Sequence, residues 1–270
     1  MYVIKASGKK EEFKPEKVFG TLTRAGATQK LAKEIVKEIE KKVYEGMKTR
    51  EILDTALDLL KSKKPEIGAV YDLKRAVMSL GPTGFPFEKF FAEILKNQGY
   101  QTEIGRVYKG KITSHEVDIT AKKEKSYMVE AKYHNSPGIY TNLKVALYVH
   151  ARFLDLKKYF DSSWLVTNTK LSKRAFIYAK GMGMKVTSWG YPEKESLQVF
   201  VEKKKLYPIT ILKTVDHHIK EKLSNANIIL VRNILDLDML ELKRKTRISE
   251  EILKKIISEA EKISKVKTKV

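Results

Sequence analysis

Two apolar arms separated by a short charged run lie near the middle of the chain. The arms, residues 115–121 and 126–133, are rich in Val, Ile, Tyr and Met, and residues 122–125 between them read Lys-Lys-Glu-Lys. Apolar, β-branched runs that flank a polar turn are typical of a β-hairpin. We therefore predict two antiparallel strands joined by a solvated turn.

The position of the turn sets which residues of the hairpin face each other. A turn centred on Glu124 would place Asp118 across from Glu130, because both lie six positions from the centre. Since side chains alternate between the faces of a strand, Glu130 and Lys132 would share one face and Ala131 would point away. Two carboxylates on a half-buried strand are costly without compensating charge. A divalent-metal site and a surface ion-pair ladder both satisfy this spacing.

Helical and extended patterns alternate around the hairpin. An amphipathic helix is predicted over residues 85–98, with Glu88 beside its apolar stripe, and a strand over 101–108. The next helix, over 141–160, is expected to bury Leu143, Leu147, Leu154 and Leu156. Further elements are a strand at 164–167, a helix at 171–180 and a strand at 184–189. Strands that alternate with helices indicate an α/β sandwich with a mixed sheet.

The two ends of the chain follow helical periodicity instead. Residues 1–80 open with a short apolar strand, after which apolar residues recur at helical spacing. The Gly-Pro-Thr-Gly sequence at 81–84 and the Tyr207-Pro208 pair are the clearest breaks in the chain. We predict a helical domain over 1–81, an α/β domain over 82–205 and a small all-α domain over 206–270. The lysine-rich end is expected to be a solvated tail that carries Lys265, Lys267 and Lys269.

The excess of basic over acidic residues indicates what kind of partner the protein binds. Lys and Arg outnumber Asp and Glu by 54 to 33, a formal net charge of +21. This surplus favours an anionic polymer, nucleic acid, as the partner. The basic residues are spread along the chain rather than gathered on one amphipathic stretch, which argues against a membrane surface. No signal peptide or long apolar run is visible, so we expect a cytoplasmic protein.

The absence of cysteine removes several kinds of chemistry. Disulfides, zinc–thiolate sites and cysteine nucleophiles are all excluded by it.

The first domain resembles the ATP-cone, the nucleotide-binding regulatory domain at the front of ribonucleotide reductases. The resemblance is carried by residues 3–8, Phe13, Lys17-Val18, 25–27 and 71–76. It implies ATP or dATP as an effector, with Lys5, Lys9 and Lys17 near the phosphates, a role that suits a compact ammonium. Ala6-Ser7 stand where the family usually has Arg-Asp, and a helical adaptor that keeps the fold without the ligand is the alternative.

The central domain resembles the PD-(D/E)XK nucleases, and among them the Mrr-like restriction endonucleases found behind an ATP-cone. The match is carried by residues 87–90, 114–118, 129–134, 148–153 and 164–169. This order of a helix with Glu, a strand with Asp and a strand with Glu-x-Lys implies a metal-dependent endonuclease that hydrolyses DNA phosphodiester bonds. Mg²⁺ or Mn²⁺ would be the cofactor.

The resemblance also implies a role for each matched residue. Asp118 and Glu130, with the Ala131 carbonyl, would hold the metal, since Mg²⁺ takes a few oxygen ligands plus water and phosphate. Lys132 would orient the attacking water and stabilise the developing charge. Glu88 would hold a second ion or an outer-shell water. Contacts to the substrate are expected from His134, Tyr148 and Arg152. Purely structural roles for these three side chains are the alternative.

The third domain resembles a helix-hairpin-helix unit, such as the small N-terminal domain of strand-exchange recombinases. The match is carried by residues 212–216 before Lys222-Leu223 and by 246–249 before Ile256-Ile257. Thr214 and Asp216 stand where the family uses glycines to bring backbone amides to a phosphate. We therefore expect phosphate contacts at the second hairpin, from Arg244, Lys245 and Arg247. A packing or dimerisation role is the alternative.

Together these features indicate a DNA endonuclease that works as a homodimer or larger homo-oligomer under ATP or dATP control. The competing hypothesis is a catalytically inactive, nucleotide-responsive scaffold that binds DNA. A scaffold of this kind needs the basic surface but not the acidic cluster at Asp118 and Glu130.

Overall fold

The computed structural model describes residues 1–268. The chain divides into two compact units, one that joins Met1–Val77 to Tyr207–Val270 and one that comprises Met78–Leu206. The first unit is mostly helical and the second contains a mixed five-stranded sheet, so the predicted combination of helical and α/β parts is confirmed. The predicted boundaries at 81/82 and 205/206 lie close to the edges of the second unit. Lys269 lies outside the described residues, whereas Lys265 and Lys267 are exposed.

The first unit begins with a small hairpin followed by five helices. The hairpin is β1 (Tyr2–Ile4) and β2 (Lys10–Glu12), and the helices are α1 (Pro15–Arg24), α2 (Gln29–Glu40), α3 (Thr49–Lys63), α4 (Pro65–Tyr71) and α5 (Leu73–Met78). Pro15 opens α1, and the Thr28 hydroxyl caps α2 by accepting from Leu31 N at 3.3 Å. The predicted helix over 67–79 is two helices, because the backbone of Asp72 leaves the helical conformation.

The C-terminal segment completes this unit. It contains a 3₁₀ turn (Ile209–Ile211) and helices α10 (His217–Asn225), α11 (Val231–Leu235), α12 (Met239–Thr246) and α13 (Glu250–Ser264), with α6 to α9 in the second unit. Helix α13 buries Leu253, Ile256 and Ala260 and packs against α4. The Thr210 hydroxyl donates to Ala76 O at 2.6 Å. Both ends of the chain therefore contribute to one apolar core.

The second unit is built on a sheet with strand order β3-β4-β5-β7-β9. Its strands are β3 (Gln101–Lys109), β4 (Ser114–Lys122), β5 (Ser126–Lys132), β7 (Ser162–Thr167) and β9 (Lys185–Thr187). The first three are antiparallel and the last three parallel, with β5 shared. A separate pair of two-residue strands consists of β6 (Tyr140–Thr141) and β8 (Lys170–Leu171).

Four helices accompany this sheet: α6 (Phe85–Asn97), α7 (Leu143–Asp155), α8 (Lys173–Gly181) and α9 (Leu197–Lys204). Helix α6 packs on β3, β4 and β5, whereas α7 packs on β7 and α8. Phe87, Phe90 and Phe91 of α6 are fully buried, and the Phe91 ring meets Trp164 edge-on with centroids 5.6 Å apart. No helix among residues 1–268 is both long and apolar enough to cross a bilayer.

The predicted hairpin forms in the predicted register. Ile119 pairs with Val129 and Ala121 with Tyr127, which corresponds to a turn centred on Glu124. The pairing ends one step before Asp118 and Glu130, where the two strands begin to part. The charged run at 122–125 was sufficient to set this register, because it fixes the centre of the turn.

Helix α7 differs from its prediction. It ends at Asp155 rather than at residue 160, and the side chains of Leu147 and Leu154 are 44% and 54% exposed. Its buried face instead consists of Ala146, Val149 and His150. Small residues on this face allow α7 to approach α8, whose Ala175 and Ala179 are also fully buried. Of the four leucines expected to be buried, Leu156 is fully buried and Leu143 is half-buried, so the prediction was wrong at Leu147 and Leu154.

A buried hydrogen bond between neighbouring parallel strands provides a test of the core. The Trp164 indole N–H donates to the Thr187 hydroxyl at 3.1 Å, and both residues are 1% exposed. We expect Thr187→Val to lower the free energy of unfolding by about 1–3 kcal/mol, because the indole donor loses its partner. Both tryptophans, Trp164 and Trp189, lie in the second unit, so urea titration followed by tryptophan fluorescence reports its unfolding.

The matched control for this variant is Thr187→Ser, which keeps the hydroxyl. We expect it to be destabilised by less than Thr187→Val, although it lacks a methyl group. Equal stability of Thr187→Val and the wild type would show that the hydrogen bond contributes nothing to the core.

Candidate active site

Three elements bring the predicted catalytic residues together. Glu88 lies in the first turn of α6, Asp118 near the middle of β4, and Glu130 and Lys132 at the end of β5. The charges of Asp118, Glu130 and Lys132 all act on Glu88. Because α6 packs directly on β4 and β5, its first turn reaches the point where these two strands separate.

Asp118 is bound to the neighbouring strand through its side chain. Its Oδ2 accepts a hydrogen bond from the backbone N–H of Ala131 at 2.8 Å. Burial, followed by the charge of Glu130, raises the pKa of Asp118, whereas the Ala131 N–H and the cations Arg152 and Lys132 oppose the shift. The carboxylate is therefore fixed beside Glu130 at an electrostatic cost.

Glu130 is the most deeply buried acid of this group, at 3% exposed. Arg152 Nη1 donates to its Oε2 at 2.6 Å, and Lys132 Nζ lies 3.4 Å from its Oε1. The second guanidinium nitrogen of Arg152 donates to the Tyr148 hydroxyl at 2.6 Å, and Nη1 also donates to Glu116 O at 3.2 Å. Tyr148 and Arg152 thus share a face of α7, as predicted from their spacing, and Arg152 is bound to Glu130 rather than solvated.

Glu88 carries the strongest electrostatic signature of the site. Burial, followed by the charges of Asp118, Glu116 and Glu130, raises its pKa to about 7, and Lys132 opposes the shift. A carboxyl group with a pKa near neutrality can accept or release a proton under physiological conditions. Glu88, Glu116, Asp118 and Glu130 form a patch of negative charge. The positive charges of Arg152 and Lys132 compensate it only in part.

The donor chemistry of this patch suits a hard divalent cation. Asp118, Glu130 and the Ala131 carbonyl are all oxygen ligands, which Mg²⁺ and Mn²⁺ prefer. Among residues 1–268, no three acidic or histidine side chains are already arranged as a metal site. Mg²⁺ is commonly held by one or two carboxylates with water and substrate phosphate, so a site with few protein ligands fits this cation.

His134 follows the site on the chain but faces away from the carboxylates. Its Nε2 lies 3.1 Å from the Thr141 hydroxyl, and burial together with Lys132 lowers its pKa. Its backbone is held by Asn168, whose Oδ1 accepts from His134 N at 2.9 Å and whose Nδ2 donates to His134 O at 2.7 Å. Asn168 is completely buried and fixes the end of β5 next to Lys132.

The role of Asn168 was not anticipated from the sequence. It lay within the matched segment 164–169 but carries no charge, and its partner is 34 positions away. The one available signal was a polar residue directly after the apolar run of β7.

In the first unit, two of the three predicted phosphate-binding lysines converge. Lys5 and Lys17 both pair with the carboxylate of Glu11, with Lys17 Nζ at 2.9 Å from Oε1. Their hydrogen bonds hold the pKa of Glu11 at about 2. Lys9 is exposed, and its carbonyl accepts from Lys5 N at 2.9 Å. A carboxylate of the chain therefore lies between two of the cations expected to bind nucleotide phosphate.

The first hairpin of the C-terminal segment also holds an acid of this chain. Lys213 N and Thr214 N donate to the Glu259 carboxylate at 2.7 and 3.0 Å, and the Thr214 hydroxyl donates to it at 2.7 Å. Asp216 caps α10 by accepting from Ile219 N at 2.8 Å. The amides that a phosphate would need at this hairpin are thus already engaged.

The second hairpin presents its cations to solvent. Arg244 and Lys245 lie in the last turn of α12, and Arg247 ends that helix in the left-handed conformation at φ 52°. All three side chains are exposed. They remain available for the phosphate contacts predicted from the sequence.

Three segments of the chain match known protein families. Residues 1–76 match the ATP cone domain, residues 82–191 the restriction endonuclease domain and residues 207–264 the AF1548-like C-terminal domain. The first two matches confirm the resemblances inferred from the sequence.

Two relatives extend this comparison. An uncharacterized protein of Archaeoglobus fulgidus is 38% identical over 174 residues, which cover 64% of this chain and 98% of that protein. The crystal structure of the protein of unknown function AF1548 is 36% identical, with a TM-score of 0.62 over 67% of this chain and 98% of that one. The chain therefore belongs to the family of these proteins, and it combines an ATP-cone, a restriction endonuclease domain and an AF1548-like C-terminal domain.

Proposed function

We propose that this protein is a Mg²⁺- or Mn²⁺-dependent endonuclease that hydrolyses DNA phosphodiester bonds. The observation that carries the proposal is the half-buried cluster of Glu88, Asp118, Glu130 and Lys132 within a restriction endonuclease domain. Structural acids are seldom gathered where each raises the pKa of another, because the repulsion costs stability. A site for a cation and a phosphate accounts for this arrangement.

The residues of the chain divide the chemistry between them. Asp118, Glu130 and the Ala131 carbonyl would hold the metal. A bound metal would neutralise negative charge on the scissile phosphate and lower the pKa of bound water. The Lys132 ammonium, with 43% of its side chain exposed, is placed to hydrogen-bond the attacking water and to stabilise charge on the phosphate. Glu88 would accept a proton near neutral pH.

Arg152 and Tyr148 have a positioning role in this proposal. Arg152 holds Glu130 in place through its 2.6 Å ion pair, and Tyr148 holds Arg152. On arrival of a substrate, the guanidinium can turn toward a phosphate oxygen and leave Glu130 to the cation, since both acceptors are anionic. His134 would contact substrate only if its ring left the Thr141 hydroxyl, which lies 3.1 Å from Nε2.

The remaining partners follow from the other domains and from the charge. The surplus of +21 favours DNA as the substrate, and Arg244, Lys245 and Arg247 would contact its phosphates. ATP or dATP would bind the cone as an effector at Lys5, Lys9 and Lys17. Cleavage of both strands of a duplex favours a homodimer or larger homo-oligomer, and we place the protein in the cytoplasm with its substrate.

One observation favours the competing scaffold hypothesis. Both oxygens of Glu130 already have cationic partners within the chain, Arg152 at 2.6 Å and Lys132 at 3.4 Å. A nuclease fold that had lost its activity could retain such pairs to neutralise a buried acid. DNA binding without cleavage under any divalent metal would support this alternative.

The nuclease proposal predicts the effect of two substitutions. We expect Asp118→Asn and Lys132→Ala each to slow Mg²⁺-dependent nicking of supercoiled plasmid by roughly 100-fold or more, because each removes transition-state stabilisation. DNA affinity should change by less than about threefold. Nicking is followed by gel electrophoresis and affinity by fluorescence anisotropy.

The control is Lys243→Ala, which alters the lysine of another Glu-x-Lys sequence, on the solvated helix α12. It should nick at the wild-type rate. Full activity in either active-site variant would contradict the proposed catalytic roles.

The raised pKa of Glu88 predicts a pH-dependent stability. The folded state holds this proton up to about pH 7, whereas the unfolded state releases it near 4.5. Because the folded state binds more protons in this window, the stability of the metal-free protein should fall as the pH rises through it. We expect Glu88→Gln to have a higher Tm than the wild type at pH 8 and an equal Tm at pH 4, measured by tryptophan fluorescence in EDTA.

Two comparisons sharpen this experiment. Glu93→Gln on the same helix, whose carboxylate pairs with Lys96, should show no such gain at pH 8. Mg²⁺ should reduce the difference between Glu88→Gln and the wild type, since a bound cation relieves the repulsion. A Tm difference that is the same at both pH values would contradict the electrostatic origin.

The cone proposal predicts which cations bind nucleotide. The double substitution Lys5→Ala, Lys17→Ala should weaken ATP binding by about tenfold or more, because two phosphate partners are lost. Glu11→Gln should strengthen it, since the two lysines no longer pair with a carboxylate. Isothermal titration calorimetry measures both effects, and Lys30→Ala, an exposed lysine of α2, is the control. Equal affinity in the double variant and the wild type would place the nucleotide elsewhere.

A further inference from the structure

The turn between β3 and β4 is held rigidly from behind by one acid of α7. The Asp155 carboxylate accepts from Ile112 N at 2.7 Å and from Thr113 N at 3.1 Å, and its carbonyl accepts from Lys111 N at 3.0 Å. His115 Nε2 lies 2.8 Å from the same carboxylate. Three consecutive amides of a surface turn are therefore tied to a single residue, here called the Asp155 clamp.

The Asp155 clamp packs closely against Gly110 and leaves no room for a side chain at that position. A Cβ atom added to Gly110 would lie 2.2 Å from Asp155 Oδ2 and 2.6 Å from Thr113 O. Gly110 N also donates to Thr113 O at 2.7 Å, and the Tyr159 hydroxyl donates to Lys109 O at 3.1 Å. Surface turns are usually mobile, whereas this one is anchored at each end and along its length.

The rigid turn presents an apolar side chain to solvent. Ile112 is 83% exposed, the highest value for a large apolar residue among residues 1–268. Single exposed apolar residues are common on protein surfaces. Here, however, the backbone that carries the residue is fixed by the Asp155 clamp, so the isoleucine is held out in a defined direction rather than left in a flexible loop.

The turn also lies beside the candidate active site. Ile112, together with Arg152 and Tyr148, lines a groove of about 450 Å³. On β3, Val107 is 64% exposed and pairs with Glu116, which shares a face of β4 with Asp118. Exposed apolar side chains therefore occur on the edge strand, at Val107, and at the tip of the turn, at Ile112.

Two lysines precede the exposed isoleucine in the turn. Lys109 and Lys111 are exposed within three positions of Ile112, and Arg106 lies on the same edge strand. An apolar tip next to lysines is the chemistry by which proteins insert a wedge between base steps while contacting the adjacent phosphates. A second protein surface would gain little from the two like charges of Lys109 and Lys111.

We propose that Ile112 is a wedge that enters the minor groove of duplex DNA and unstacks a base step beside the phosphate bound at Asp118 and Lys132. This inference rests on DNA being the ligand of the proposed nuclease site. The cost of unstacking would be recovered from phosphate contacts by Lys109 and Lys111. A wedge at this place would also fix the duplex relative to the scissile bond.

The test compares Ile112→Ser with the wild-type full-length protein on a duplex that contains 2-aminopurine, in EDTA to prevent cleavage. The wild type should increase 2-aminopurine fluorescence on binding, because the base loses a stacking neighbour. Ile112→Ser should lose most of this increase and bind the duplex roughly tenfold more weakly. Ile112→Phe should retain both properties. The matched control is Leu240→Ser, which alters a residue 78% exposed on α12.

Three outcomes would overturn the wedge. They are an Ile112→Ser variant with wild-type fluorescence and affinity, a wild type that binds no duplex, and a variant that loses only a dimer, measured by light scattering. The last outcome would assign the tip to an interface between copies of the chain.

The same experiment separates the wedge from the nuclease proposal. An Ile112-dependent fluorescence increase in a protein that cleaves nothing with Mg²⁺ or Mn²⁺ supports the wedge and refutes the nuclease. Cleavage without that increase supports the nuclease and refutes the wedge.

Discussion

The ion pair between Glu130 and Arg152 is the interaction on which the second unit's functional face depends. A carboxylate 3% exposed must be paired, because an isolated buried charge is strongly destabilising. The pairing of β4 with β5 ends at Ile119 and Val129. Beyond that point, Arg152 of α7 donates a hydrogen bond to the Glu130 carboxylate. The position of α7 then determines where its last residue, Asp155, holds the β3–β4 turn. Helix α7 therefore connects the buried Glu130 carboxylate, through Arg152, to the β3–β4 turn, through Asp155.

Local patterns were sufficient to predict the hairpin and α6. The register of Asp118 and Glu130 followed from the position of the charged turn, and the aromatic stripe of α6 showed its buried face. The buried face of α7 could not be predicted in this way, because Ala146 and Val149 are less apolar than the exposed Leu147 and Leu154. The contacts of Asn168, Glu11 and Glu259 connect residues whose local sequence carries no sign of a partner. Such contacts depend on tertiary packing, which a single sequence does not reveal.

Two acids in the first unit occupy positions where the family resemblances lead one to expect phosphate. Glu11 lies between Lys5 and Lys17, and Glu259 accepts from the amides of Lys213 and Thr214. A carboxylate satisfies the same donors as a phosphate but carries less charge, so a polyphosphate can displace it where cations dominate. At Glu11 the donors are two lysines on exposed stems, whereas at Glu259 they are fixed amides. The first pair is therefore the more readily exchanged of the two.

The first unit draws its core from both ends of the chain, with Met78–Leu206 inserted between them. During synthesis the ribosome releases the cone segment long before α13, whose Ile256 and Ala260 belong to the same unit. Gly26 illustrates the dependence, since an added Cβ there would lie 2.8 Å from both Lys267 O and Val266 Cγ1. The contacts between the cone and α13 therefore cannot form until translation has passed the nuclease domain. A chain arrested before residue 207 would contain every residue of the sheet-containing unit, whereas its ATP-cone would lack the contacts that the C-terminal segment supplies.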